Sequence, residues 1–117
     1  MHADIVTGSG RVIAIAPHDR FNFEPARAFG SLIYLLERGE IISPMRMSEL
    51  YDATRRRLVE LNYDPRTDSV IVSGNGALLA ALTMAASSIA IELLVNRVRL
   101  LIFDAAHDRY VCRTVEL

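Results

Sequence analysis

The chain has no lysine and no tryptophan, a single cysteine, and only four prolines among its 117 residues. With Cys112 alone, no internal disulfide can form, and a reducing compartment is the simplest setting. The opening Met-His-Ala-Asp lacks the basic-then-apolar pattern of a secretory signal, so a cytoplasmic protein is expected. A net charge of -1 gives no general attraction to a nucleic-acid polymer or an acidic membrane. Three dispersed histidines and one cysteine show no metal-ligand spacing, so neither metal nor cofactor is expected. Repeats, low-complexity runs and linkers are missing too, which leaves one domain, 1–117.

What is present is a folding composition, 51% hydrophobic and 23% charged, in which all 13 basic residues are arginine. Guanidinium forks suit phosphate and carboxylate, but these arginines are scattered along the chain, and codon usage explains their number more simply. Segment 77–95 carries one charge, Glu92, over a length close to a membrane span. It is rich in Ala, Ser and Thr, follows a Ser-Gly-Asn-Gly turn and precedes a patterned strand. It therefore reads as a helix buried within a domain, not as a span.

Apolar runs at 11–16, 69–73 and 97–103 and the alternation at 109–115 predict four strands. Helices are predicted at 24–38, 46–62 and 76–90. The first has Asn22 as its cap, the apolar stripe Ala26, Phe29, Ile33 and Leu36, and Gly39 as its stop. The order implies an α/β domain with a mixed sheet, a parallel crossover from 69–73 to 97–103, and a terminal hairpin. A nearly chargeless third helix needs cover on two sides, from the sheet and from either the earlier helices or a second subunit; a homodimer is expected.

The candidate site is Ser73-Gly74-Asn75-Gly76, small residues between a strand and a helix. Main-chain amides and the positive helix end suit an anion there, and in open α/β sheets ligands gather at such strand ends. The run is neither a Walker A loop nor Gly-x-Gly-x-x-Gly, since Leu79 stands where the third glycine belongs. An arginine from the second helix, or Arg97 or Arg99, would neutralise the guest's charge. His18, at the end of the first strand, is the candidate if any reaction is catalysed, whereas His107 reads as structural.

Through Ser73-Gly74-Asn75-Gly76 and Asn96-Arg97-Val98, residues 69–115 resemble the viral ring-nuclease anti-CRISPR family, small α/β proteins that bind cyclic oligonucleotides. Phe29-Gly30 and Phe103-Asp104 also resemble compact proteins common in phage genomes. The ring nucleases place a catalytic histidine in the loop opening the helix, where this chain has Asn75 or Gly76. The resemblance therefore implies binding without cleavage: a phage counter-defence protein that sequesters an anionic small molecule, such as a cyclic nucleotide, in the host cytoplasm. Two other readings remain open, a regulator docking on a host protein without ligand and a phosphodiesterase using His18.

Overall fold

The computed structural model describes residues 10–17, 22–36, 46–72 and 76–117. Five strands form one sheet: β1 (Arg11–Ala14), β2 (Ser31–Tyr34), β3 (Ser69–Val72), β4 (Arg97–Asp104) and β5 (Arg109–Glu116). Their spatial order is β2-β1-β3-β4-β5. The first four run parallel, and β5 closes the sheet as an antiparallel hairpin with β4. The α/β class and the mixed sheet agree with the sequence reading, with one strand more than expected.

That strand is β2, which corrects the long helix read at 24–38. Among the described residues of that range the only helix is a short 3-10 helix, Glu24–Phe29, and Asn22 Oδ1 does accept from Glu24 N at 3.0 Å. Gly30 then breaks the helix. Its φ is +148°, and a Cβ on it would lie 2.4 Å from the carbonyl oxygen of Gly10. The following apolar run satisfies helical and strand periodicity alike, and the open edge of β1 decides the matter. Leu35 N and Leu36 N donate to Ala14 O at 3.0 Å and to Ile15 O at 2.8 Å, extending that pairing.

Alternating residues divide the core between the two faces of the sheet. Ile13, Ile15, Val70 and Val98 face two helices, α1 (Met47–Glu60) and α2 (Gly76–Glu92). Val12, Ala14, Leu32, Ile71 and Leu101 face the other way, toward Phe23 and Ala26 of the 3-10 segment. The leftward step from β1 to β2 thus crosses one face, while both rightward steps cross the opposite one. A single handedness for all three connections requires that arrangement.

Helix α2 can be nearly chargeless because it lies between the sheet and α1. Ala81, Ala85, Ala86 and Ala90 are fully buried, and their small side chains let both neighbours approach closely. Leu50, Thr54 and Leu58 of α1 are buried along one face of the helix, and the Thr54 hydroxyl donates to Leu50 O at 2.8 Å. The two-sided cover is therefore supplied within the chain. Among the described residues no helix is long and apolar enough to cross a membrane.

The helix ends are fixed by local chemistry. Glu49 Oε1 accepts from Arg46 N at 3.1 Å, capping α1. At its other end, Asn62 adopts φ 57° while Tyr63 N donates to Leu58 O at 3.0 Å. Helix α2 ends in the same way through Leu94 at φ 59°, with Val95 N donating to Ala90 O at 2.8 Å. That leucine occupies a position glycine or asparagine would fill without strain.

A buried ion pair joins the start of β1 to the turn before β3. Asp68 Oδ2 accepts from Arg11 Nη2 and from Asp64 N, each at 2.8 Å, and Asp68 Oδ1 accepts from Arg11 N at 2.9 Å. Arg11 Nη1 also donates to Leu61 O at 2.7 Å, so one guanidinium neutralises the end of α1 as well.

Candidate functional site

The strand order fixes where a ligand is expected. Chain progress from β1 goes outward to β2, then returns past β1 to β3, so the direction of winding reverses between β1 and β3. In open α/β sheets a crevice opens beyond the carboxyl ends of the strands at such a reversal. Here those ends are Ala14 to Pro17 after β1 and the residues following Val72 after β3. The glycine-rich segment singled out in the sequence follows β3 directly, and His18 follows β1. Ser73, Gly74, Asn75 and His18 themselves lie outside the described residues.

Gly76 is described and begins α2, the 17-residue helix whose positive end lies at this corner. A Cβ at Gly76 would meet nothing within 4 Å, so packing does not demand glycine there. Ala77 and Leu78, in the first turn, already have partners.

Helix α1 brings a second positive end to the same edge, because its C-terminal Leu61 touches Arg11 at the opposite edge. Arg46 stands at that N-terminus, exposed and paired with Glu49 at 3.1 Å. Arg97 and Arg99 lie elsewhere. Arg99 is in register with Ser69, the first residue of β3, and donates to its hydroxyl at 3.2 Å. Three residues of parallel strand put Arg99 roughly 10 Å from the end of β3, and Arg97 is farther still. The structure thus gathers Gly76 and Arg46 at one edge and holds Arg97 and Arg99 at the other.

One pair at the carboxyl edge was read from sequence only as structure. Val72 is in register with Ile102, so Asp104 and the following turn lie at the carboxyl edge of the sheet, just beyond the level at which β3 ends. Asp104 Oδ2 lies 2.7 Å from His107 Nδ1, and Asp104 Oδ1 accepts from Ala106 N at 3.1 Å. The carboxylate closes the turn and orients the imidazole, leaving Nε2 outward on an exposed ring. The i, i+3 spacing within a hairpin turn was the signal that could have shown this pairing. Among the described residues no group of three or more His, Cys, Asp or Glu could hold a metal ion.

Comparison with known proteins places the chain among phage proteins. A family model described as phage Pam3 gp32-like protein matches residues 10–117. The chain belongs to this family. The match covers the whole sheet and supports a phage origin, and it gives no link to the ring nucleases that residues 69–115 resemble. No curated protein and no solved structure matches.

Proposed function

We propose that the protein is a non-enzymatic binding module for an anionic small molecule, held where the winding of the sheet reverses. The observation that carries this reading is the strand order, which makes the carboxyl ends of β1 and β3 neighbours and starts α2 from a glycine-rich segment at that point. Ser73, Gly74, Asn75 and Gly76 would hold a phosphate through main-chain and side-chain hydrogen bonds. Arg46, at the N-terminus of α1, is the second-helix arginine suited to neutralise it. A nucleotide messenger, linear or cyclic, is the guest class that fits a phage protein acting against host defence. Binding without turnover is the reading unless His18 supplies the proton, because neither Asn75 nor Gly76 can carry one near neutral pH.

Calorimetry against a panel of linear and cyclic nucleotides tests this. Saturable heat with at least one member, weakened in Gly76→Val or Arg46→Ala, is the expected result. No heat with any member at high micromolar concentration would retire the reading.

A second reading, a regulator that docks on a host protein, is favoured by one observation. A shallow groove of about 550 Å³ runs between α1 and α2, lined by Tyr51, Met84, Ile91 and Glu92, and Met84 and Ile91 are largely exposed. Loss of host-protein capture in Met84→Asp with nucleotide binding intact would favour it over the first.

A further inference from the structure

The sheet ends on one side in β2, four residues long, and on the other in β5, eight residues long. Among the described residues nothing pairs with the outer edge of β5. Natural edge strands are usually blunted by lysine, proline, bulges or shortness. Here the strand Arg-Tyr-Val-Cys-Arg-Thr-Val-Glu has no lysine or proline, and its register with β4 runs unbroken from Asp104↔Arg109 to Arg97↔Glu116. Arg113, Thr114, Val115 and Glu116 are all exposed.

We infer that this edge is where a second copy of the chain adds on, pairing β5 with β5 antiparallel about a two-fold axis. The register follows from three constraints. First, Leu117 N donates to Asn96 O at 2.8 Å, so 117 and every second residue before it direct their main-chain groups toward β4. Cys112, Thr114 and Glu116 consequently direct theirs to the open edge. Second, a two-fold pairing must oppose positions of like kind, so the axis falls on a residue and not between two. Third, like charges directly opposite destabilise a strand pair. An axis at Arg113 opposes that arginine to the partner's Arg113, and an axis at Val111 opposes Arg109 to the partner's Arg113.

An axis at Thr114 avoids both clashes. It sets Thr114 against the partner's Thr114, Cys112 against the partner's Glu116, and Arg113 against the partner's Val115. It also sets Val111 against the partner's Leu117, and so covers Val115 and Leu117, which are 44% and 48% exposed. An axis at Cys112 opposes Glu116 to the partner's Asp108, again like charges, and it carries Leu117 past the partner strand to the hairpin turn and leaves it bare. An axis at Val115 also opposes no like charges but pairs only residues 113–117, so the Thr114 register, pairing 111–117, is the longest in which charge and apolar cover agree. Five strands from each copy then form one continuous sheet. The two glycine-rich corners lie at opposite ends of it, so dimerisation does not depend on the ligand reading.

Thr114→Pro is the decisive variant, because proline removes the N–H that faces the open edge and leaves the β4 ladder intact. Light scattering behind a sizing column should give twice the chain's 13.0 kDa for the parent and a single chain for Thr114→Pro, with unchanged circular dichroism. A monomeric parent at high micromolar concentration, or a Thr114→Pro variant that stays dimeric, overturns the proposal. A parent that is monomeric alone yet pairs this edge with a peptide of another protein overturns it too.

Should Thr114→Pro not fold, Thr114→Cys in a Cys112→Ser background answers the question. Hydrogen-bonded antiparallel partners sit about 5.5 Å apart at Cα, within disulfide reach. Mild oxidation should link that variant into a dimer and leave the parent, with Cys112, unlinked. The reverse pattern overturns the register, and no link in either overturns the interface.

Discussion

Replacing Asp68 should cost this fold more than any other single polar change among the described residues. Its side chain is 2% exposed, and its two oxygens take four bonds: Arg11 N at 2.9 Å, Arg11 Nε at 3.3 Å, Arg11 Nη2 at 2.8 Å and Asp64 N at 2.8 Å. In Asp68→Ala, two main-chain N–H groups lose their acceptor and a guanidinium loses its counter-charge. Removing one partner of a buried pair costs about 3–5 kcal/mol. Arg11 is 28% exposed and can partly rehydrate, which moves the expectation to the lower end of that range. Asp68→Asn keeps one acceptor oxygen and the shape of the side chain, so a loss of about 2 kcal/mol is expected. Against a typical domain stability of about 5–15 kcal/mol, either change is readily measured by urea unfolding, with the midpoint falling and the slope unchanged. A cycle with Arg11→Ala should show coupling above about 1 kcal/mol. An Asp68→Ala midpoint within error of the parent would refute the claim that this pair joins β1, α1 and β3.

Three further outcomes follow from single residues. The Tyr63 hydroxyl is buried with no hydrogen-bond partner among the described residues, and burial, reinforced by Asp68 and Asp64, raises its ionisation above the ordinary value of 10.0. The unfolded chain therefore releases this proton near pH 10 while the native state keeps it, so stability is full below that pH and falls above it by about 1.4 kcal/mol per unit. Tyr63→Phe should remove that share of the alkaline loss and add about 1 kcal/mol at neutral pH, as read by thermal melts from pH 7 to 11. Leu94, at φ 59° and 93% exposed, should gain about 1 kcal/mol on replacement by glycine, and an unchanged melting temperature would contradict the strain. Gly30→Ala should lose several kcal/mol or fail to fold, since its Cβ would enter the carbonyl of Gly10.

Much of the fold was legible because its elements carry unambiguous signals. The alternation of 109–115, the buried run 69–73 and the alanine-rich segment opened by Gly76 each admit one structure at their length. Residues 31–36 did not, for a short apolar run is helix or strand according to what lies beside it, and the edge of β1 is a tertiary fact. Missing β2 also hid the strand order, and with it the reason why the corner after β3 is favoured. Small residues in Ser73-Gly74-Asn75-Gly76 marked the corner itself. The separation of Arg97 and Arg99 from it was implicit in the parallel crossover, which puts the first residues of one strand at the opposite edge from the last residues of its neighbour. Asp68 gave no local sign of its role, because its partner Arg11 is 57 residues away.

The most direct test of the ligand account is a map of amide shifts in the labelled protein as a cyclic dinucleotide is added, with pyrophosphate as a second probe. The account expects saturable shifts confined to residues 73–76, the segment after Pro17 and the N-terminus of α1, with Arg97 and Arg99 unmoved. Shifts clustered instead between α1 and α2, or no saturable shift with either probe, would contradict it.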